Sequence, residues 1–342
     1  LFNVNMKIRG LLFTIIALLL TLSNGQAQQN KLFTLEELIP GGIDFYSYYP
    51  RYSTQFQWHG DHLVEIRKDS VLIIKNPMKA SDKQFVFTFS DIEKNLTEGQ
   101  DIYHLSFPSS SKSIVQYYTH KGSGFYDLDK KRQLAYFEYP EKSENHDIST
   151  INQSLAYTIE NNLYILNQNG ETIAISDEEN KGIVYGQAVH RNEFGITKGT
   201  FWSPNGNKLA FYKMDETMVT DYPLVDVSAR VAKVNNIKYP MAGMTSHEVS
   251  VGIYDLATGK TTYLNMGDPK NRYFTNINWS PDEKYIYIAE LNRDQNHMKL
   301  QRFNSLTGEL EKIVFEEKHP KYVEPETPVL FVPFQQDQTI SL

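Results

Sequence analysis

Short apolar and aromatic stretches alternate with polar turns along most of the chain. Residues 202–206 (W-S-P-N-G) predict a turn, because proline presets φ and Asn-Gly tolerates positive φ. Leu209–Met214 then predicts a strand. An apolar residue before a turn is followed seven positions later by the first apolar residue of the next strand, in the pairs Phe107/Ile114, Ile148/Leu155, Trp202/Leu209 and Trp279/Ile286. This spacing predicts a series of antiparallel hairpins.

A second hairpin follows most of these pairs, and Trp58 starts a shorter version of the first one (W-H-G-D-H-L-V-E-I). The second hairpins are predicted at 124–134, 162–170, 251–264 and 300–313. Four strands per unit, repeated at intervals of roughly 40 to 80 residues, indicate β-propeller blades. The pattern gives about five blades and the start of another at 330–332, with an excursion from one blade at Asp215–Ser246. We therefore predict an all-β fold of the propeller type.

Composition supports this fold and excludes several kinds of chemistry. Aromatic residues make up 13% of the 342 residues, which favours β-structure, and the absence of cysteine excludes disulfides and thiolate sites. The net charge is −7 and the basic residues are scattered, so no nucleic-acid partner is expected. His59 and His62 flank Asp61 in what we interpret as a polar hairpin turn. No metal site and no cofactor are predicted.

The first residues have the pattern of a secretory signal peptide. Lys7 and Arg9 precede an apolar run at Leu11–Leu22, and Gly25-Gln26-Ala27 is a small-x-small cleavage site. The run is shorter than the about 20 residues that span a bilayer. We predict a signal peptide with upstream residues at 1–27 and a periplasmic or secreted protein.

Two further segments complete the predicted organisation. Residues 28–46 form an N-terminal segment, in which a helix is expected at 31–38 because Thr34 and Glu37 fit a capping box. Residues 47–342 form the propeller, which we expect to be incomplete at its C-terminal end.

Arg191, Asn192 and Glu193 are the most function-like residues, and they lie between Val189 and Phe194 at the end of a predicted strand. From the residues alone, a solvated loop carboxylate is the better interpretation of Glu193. The chain contains no G-x-S-x-G nucleophile elbow and no phosphate-binding loop. The residues alone therefore favour a propeller that binds a partner without catalysis.

The motifs around this segment resemble a known family. Asn192-Glu193-Phe194 followed by F-W-S-P-N-G at 201–206 is similar to the propeller of dipeptidyl peptidase IV-like serine peptidases, and H-R-N-E-F-G is similar to the Bacteroidetes version. The resemblance continues in order through L-A-F at 209–211, D-E-T-M-V at 215–219, Y-P-M-A-G at 239–243 and N-W-S-P at 278–281. It covers most of the predicted mature chain.

The resemblance implies part of an eight-bladed propeller, followed in the family by an α/β-hydrolase domain that carries the Ser-Asp-His triad. No catalytic residue is then expected in this chain, which would end before that domain. In the family a Glu pair binds the substrate α-amino group. Here Glu193 matches the second Glu, while Asn192 stands at the first. The position of a family arginine that orients the substrate carbonyl falls near Gln116, and no role is carried over to it.

Two functions follow as hypotheses. The first is the propeller region of a secreted serine exopeptidase that releases N-terminal Xaa-Pro or Xaa-Ala dipeptides, with Glu193 and Asn192 binding substrate. The alternative is a non-catalytic, peptide-binding propeller module. The expected partners are peptide substrates, the hydrolase domain and a second copy of the chain in a homodimer.

Overall fold

The computed structural model describes residues 32–42, 44–48, 55–76, 78–79, 83–96, 100–108, 112–332 and 339–341. The chain forms two compact units, residues 1–55 and 56–342. In the first unit, helix α1 (Leu35–Leu38) begins after Thr34, whose side chain and backbone bond Glu37 reciprocally. This confirms the predicted capping box, although the helix is shorter than the sequence suggested. A 3₁₀ turn at Phe45–Tyr48 follows.

The second unit consists mainly of antiparallel sheets, which we number blades 1 to 5 in chain order. Blade 1 contains β1 (Gln55–His59), β2 (His62–Ile66), β3 (Ser70–Ile74) and β4 (Lys83–Thr88), with helix α2 (Ser90–Glu93) after it. Blade 2 contains β5 (Ile102–Ser106), β6 (Ile114–Thr119), β7 (Gly122–Asp127) and β8 (Arg132–Glu138). Blade 3 contains β9 (Ser143–Ser149), β10 (Ser154–Ile159), β11 (Asn162–Leu166) and β12 (Thr172–Ala174).

Blade 4 is the most elaborate sheet, because a hairpin is inserted into it. It contains β13 (Ile183–Tyr185), β14 (Thr200–Trp202), β15 (Lys208–Asp215), β18 (Glu248–Asp255) and β19 (Lys260–Tyr263). The inserted hairpin is β16 (Asp221–Asp226) and β17 (Lys233–Lys238), which confirms the predicted excursion at 215–246. Blade 5 contains β20 (Arg272–Trp279), β21 (Tyr285–Asn292), β22 (His297–Asn304) and β23 (Leu310–Lys318), followed by the paired β24 (Leu330–Val332) and β25 (Thr339–Ser341).

Successive blades pack against one another through their apolar side chains. Buried side chains of blades 1 and 2 form one cluster, and further clusters join blades 2 and 3, 3 and 4, and 4 and 5. A last cluster joins blade 5 to Val323, Val329 and Phe331 in the following segment. Because both faces of a blade need a neighbour, this arrangement is the β-propeller type that the sequence predicts.

The predicted hairpin spacing is confirmed in most units. Leu155 pairs with Ile148, Leu209 with Trp202 and Ile286 with Trp279. Ile114 begins β6 as predicted, but Phe107 lies just after β5, whose last residue Ser106 pairs with Gln116. The four predicted second hairpins correspond to β7–β8, β11–β12, β18–β19 and β22–β23.

The first strand of blade 4 is interrupted, and this interruption positions the candidate site. β13 and β14 both pair with β15, on either side of Tyr212. Tyr212 accepts the Gly186 N–H and donates its own N–H to the Gly199 carbonyl, so residues 187–198 leave the sheet as a loop closed at its base. At this base a Cβ on Gly199 would lie 2.2 Å from the Gln187 carbonyl oxygen, so only glycine allows the close approach.

Tyr212 also connects blade 4 to blade 5. Its side chain is 1% exposed, and its hydroxyl donates to the Phe274 carbonyl of β20 at 2.9 Å. Removing one partner leaves a buried acceptor without a hydrogen bond, and the cost of such an acceptor is larger than the net contribution of the bond itself.

We expect Tyr212→Phe to lower the free energy of unfolding by about 1–3 kcal/mol, because the Phe274 carbonyl then has no donor. Tyr254→Phe is the matched control, since Tyr254 is also buried in blade 4 and its hydroxyl has no bonding partner among the described residues. Urea unfolding of both variants measures the difference. Equal stabilities of the two variants would contradict this role of Tyr212.

Candidate functional site

The loop at 187–198 holds the three polar residues singled out in the sequence. Arg191, Asn192 and Glu193 are exposed, whereas the flanking His190 and Phe194 are buried. The sequence placed them at the end of a strand. In the structure β13 ends at Tyr185, and they lie within the loop instead.

The backbone of this loop is strained. His190, Arg191 and Asn192 have φ values of 52°, 55° and 64°, and Phe194 has a φ of 55°. Non-glycine residues rarely adopt this left-handed conformation, which costs on the order of 1–3 kcal/mol each. Such a run of residues persists only when contacts around it fix the conformation. Gly195 continues the run with a φ of 70°, and a Cβ there would meet the Glu326 carbonyl oxygen at 2.2 Å.

Hydrogen bonds from blade 5 supply part of that fixation. The Phe274 N–H of β20 donates to His190 Nε2 at 3.0 Å, and the Thr275 hydroxyl donates to the Phe194 carbonyl at 2.8 Å. The Phe194 ring also packs edge-on against Tyr273, with 5.0 Å between the centroids. Adjacent residues of β20 therefore hold both ends of the turn that carries Glu193.

Asn192 stabilises the turn from within. Its Nδ2 donates to the Ile196 carbonyl at 3.2 Å, and its N–H donates to the Val189 carbonyl at 3.1 Å. Asparagine is also among the side chains that best tolerate left-handed φ. The amide of Asn192 is therefore engaged in the loop, and only its Oδ1 remains to accept a bond from a ligand.

Glu193 presents an exposed carboxylate on this loop. Its N–H donates to the His190 carbonyl and its carbonyl accepts the Ile196 N–H, so its backbone is fixed. Among the described residues, no group forms a hydrogen bond or ion pair with its side chain. The arrangement is a free carboxylate on a rigid support, which suits the binding of a cation.

Arg191 is directed to a different part of blade 4. Its Nη2 lies 3.8 Å from Glu216 Oε2, and its guanidinium lies 5.7 Å from the centre of the Tyr239 ring. Burial raises the pKa of Glu216, and the nearby Arg191 partly offsets this increase. Arg191 thus links the loop to the segments before and after the inserted hairpin.

A buried histidine pair lies beneath the loop. His190 Nδ1 and His247 Nε2 are 2.8 Å apart, and the two side chains are 3% and 5% exposed. Burial lowers the pKa of His190 well below its ordinary value, and the neighbouring His247 adds to this effect. The pKa of His247 falls from 6.5 to about 4, mainly through burial and then through Arg191 and Arg293. Both rings are therefore neutral at pH 7.

An open groove of about 540 Å³ is lined by Ser246 and Glu248, the two chain neighbours of His247. Glu248, Lys270 and Arg293 line it together with Asn271 and residues 243–246. The Arg293 guanidinium is held by the Met244 carbonyl at 2.6 Å and by Asn271 Oδ1 at 3.2 Å. Glu193 is not among the lining residues.

The structure also locates the other residues that the sequence analysis named. His59 and His62 flank a two-residue turn between β1 and β2, as predicted. Gln116 is buried in β6 of blade 2. Among the described residues, no three His, Asp or Glu side chains are grouped so as to hold a metal ion.

The histidine pair is not among the residues singled out in the sequence. His190 and His247 are 57 positions apart. They meet because β15 and β18 pair, which brings the start of β18 beside the loop. No local pattern around either histidine indicates this contact.

Within the described ranges, no helix has the length and apolar character needed to cross a membrane. The predicted signal peptide at 1–27 lies outside the described residues. Both that peptide and the homodimer remain predictions.

The fold defines the class of the molecule as a β-propeller, with a strained loop at 187–198 on one blade. The chain belongs to the family described as the dipeptidyl peptidase IV (DPP IV) N-terminal region, whose model matches residues 100–342. This confirms the family resemblance carried by the motifs between Asn192 and Pro281.

Curated relatives agree with this assignment. Dipeptidyl peptidase 4 of Felis catus is 24% identical over an alignment of 331 residues, and the match covers 87% of this chain and 42% of the relative. Prolyl endopeptidase FAP of Mus musculus is 24% identical over an alignment of 310 residues, and the match covers 79% of this chain and 37% of the relative. A probable dipeptidyl-aminopeptidase B of Pyrenophora teres f. teres is 27% identical over an alignment of 205 residues, and the match covers 53% of this chain and 23% of the relative. The chain thus spans less than half the length of these relatives.

Solved structures show the same fold. A protein of Bacteroides ovatus assigned as a dipeptidyl aminopeptidase IV is 47% identical, with a TM-score of 0.75 over 89% of this chain and 42% of that one. Dipeptidyl peptidase 4 of Porphyromonas gingivalis is 20% identical, with a TM-score of 0.68 over 87% of this chain and 44% of that one. The second likeness concerns the fold alone.

The neutral histidine pair leads to a prediction about acid stability. Below pH 6.5 the unfolded chain takes up a proton on His247 that the folded chain binds only below about pH 4, so the free energy of unfolding falls across this window. A pKa change from 6.5 to about 4 corresponds to about 3 kcal/mol. The lowered pKa of His190 also makes the free energy of unfolding fall as the pH decreases.

In His247→Gln this contribution is absent, while the amide oxygen can still accept a hydrogen bond. We expect the stability advantage of the wild type over the variant to shrink as the pH falls from 7 to 4. Urea unfolding at several pH values measures both proteins. Parallel stability curves across this window would contradict the neutral, buried state of His247.

Proposed function

We propose that this chain is the substrate-binding propeller region of a serine exopeptidase that removes dipeptides from free peptide N-termini. Glu193 binds the α-ammonium group of the substrate. The observation that supports this role is the free carboxylate of Glu193, held on a strained loop that blade 5 fixes from both sides. Membership of the dipeptidyl peptidase IV family supports the substrate class.

The chemistry of the proposed contact is simple. A carboxylate and an ammonium form a charge-assisted hydrogen bond, which is roughly twice as strong as a neutral one. Because the loop backbone is already fixed, little conformational entropy is lost when the ammonium binds. A fixed anchor for the N-terminus also sets which peptide bond reaches the nucleophile, so it selects the length of the released fragment.

Asn192 has a different role in this proposal. Its amide nitrogen already closes the loop on the Ile196 carbonyl. The Oδ1 atom can accept one further hydrogen bond from the ammonium, but it brings no charge. The main role of Asn192 is therefore to stabilise the loop, and its contact with the substrate is secondary. The carboxylate of Glu193 alone supplies the electrostatic attraction.

The nucleophile belongs to the hydrolase domain that the family resemblance implies. The preference for proline or alanine as the second substrate residue is part of the same proposal. In this arrangement the propeller loop holds the N-terminus while the hydrolase domain cleaves the chain two residues further on.

We expect Glu193→Gln in the full-length enzyme to lower kcat/KM for a free-amine dipeptide chromogenic substrate roughly 30- to 1000-fold, equivalent to about 2–4 kcal/mol. The reason is that the variant keeps the shape of the side chain but loses its charge. Asn192→Ala should have a clearly smaller effect. Steady-state kinetics with a Gly-Pro anilide measures both variants.

Two controls separate charge from other effects. Glu138→Gln removes an exposed carboxylate at the end of β8 in blade 2 and should leave the kinetics unchanged. An N-acetylated substrate lacks the ammonium, so it should be poor for the wild type and scarcely altered by Glu193→Gln. If Glu193→Gln stays within about threefold of the wild type on the free-amine substrate, Glu193 is a solvated loop residue and the proposed role is wrong.

A further inference from the structure

The buried histidine pair occupies the point where the loop, blade 4 and blade 5 meet. His190 is the first of the left-handed loop residues, and its ring contacts Phe274 of β20 on one side and His247 on the other. His247 directly precedes β18. The edge of the Tyr273 ring closes the remaining side of His190, at 5.1 Å between centroids.

The hydrogen bonds determine where the protons of the two rings lie. His190 Nε2 accepts the Phe274 N–H at 3.0 Å, so in the neutral ring the proton is on Nδ1. That proton is donated to His247 Nε2 at 2.8 Å. His247 Nε2 also accepts the backbone N–H of His190 at 3.3 Å. His247 must then carry its own proton on Nδ1.

With the protons placed in this way, His247 Nε2 accepts two hydrogen bonds from the same residue. Both the backbone and the side chain of His190 donate to it, which fixes the φ angle and the ring of the same residue together. It also excludes a metal-binding role for the facing nitrogens, because each is already engaged in a hydrogen bond. His247 therefore fixes the conformation of His190, the first strained residue of the loop.

Glu193 lies three positions after His190 in the chain, and a backbone hydrogen bond connects the two residues. The His190 carbonyl accepts the Glu193 N–H at 3.1 Å. A change in the orientation of His190 therefore moves the acceptor that fixes Glu193. Since Glu193 has no side-chain partner of its own among the described residues, its carboxylate is positioned through its backbone, by this bond together with the bond from the Ile196 N–H to the Glu193 carbonyl.

We propose that His247 is a positioning residue for substrate binding: through His190 it holds the Glu193 carboxylate where the substrate ammonium binds. This inference rests on the proposed function of Glu193. It assigns to His247 a role in affinity for the free N-terminus, although the residue is buried and makes no contact with substrate.

The test uses two variants of the full-length enzyme, in which amide side chains of different length replace His247. His247→Gln places an amide oxygen near the position of Nε2, so both donors of His190 keep an acceptor. His247→Asn carries the same chemical group, but its shorter side chain cannot reach them. We expect His247→Asn to raise KM for a Gly-Pro anilide by about 10- to 100-fold with a small change in kcat, because a misplaced anchor loses binding. His247→Gln should remain close to the wild type.

A purely structural role would give a different result. Loss of folded enzyme lowers the titratable active-site concentration and affects free-amine and N-acetylated substrates equally. The positioning role predicts a KM effect on the free-amine substrate alone, with unchanged active-site titration. It also predicts non-additivity, since His247→Asn should have little further effect once Glu193→Gln has removed the charge.

The outcomes separate this inference from the proposed function. If Glu193→Gln has no effect, the proposed function fails. If Glu193→Gln is damaging but His247→Asn and His247→Gln behave alike, the function stands and the positioning role of His247 is wrong. If His247→Asn purifies without active sites, His247→Gln decides the question: a wild-type KM for the free-amine substrate supports the inference, and an altered KM for that substrate overturns it.

Discussion

The backbone N–H and the carbonyl of Phe274 both point toward blade 4 rather than toward another strand of blade 5. Phe274 lies on β20, the edge strand of blade 5, and is fully buried. Buried backbone groups must find partners, and here the N–H donates to the His190 ring while the carbonyl accepts the Tyr212 hydroxyl. Two side chains of blade 4 thus complete the hydrogen bonding of an edge strand. The packing of the two blades and the shape of the loop both depend on this arrangement.

The tryptophans provide the same kind of connection elsewhere. Trp202 Nε1 donates to the Asp147 carbonyl of blade 3, and Trp279 Nε1 donates to the Phe201 carbonyl of blade 4. Each indole therefore bonds the first strand of the preceding blade, and its ring fills the space between blades. Trp58 belongs to blade 1, before which no blade lies among the described residues, and it is 62% exposed. The matching positions of Trp202 and Trp279 in the sequence follow from this contact.

Most strands could be predicted from the sequence because turn residues and hydrophobic alternation are local signals. The split of the first strand of blade 4 could not, since β13 and β14 are defined by their shared partner β15, which comes later in the chain. The identity of Glu193 as a candidate came from family motifs, while physical reasoning favoured a solvated residue. The support for its carboxylate depends on His247 and Thr275, which no local pattern connects to it.

The closed base of the loop has a consequence for how such a propeller can diversify. Gly186 and Gly199 both bond Tyr212, so the two ends of the loop leave β15 at one point. Residues can be inserted into or removed from 187–198 without shifting the register of the strands on either side. The position of Glu193 is thereby separated from the architecture of the sheet. A propeller of this type can change the length and shape of this one loop while every blade keeps its core.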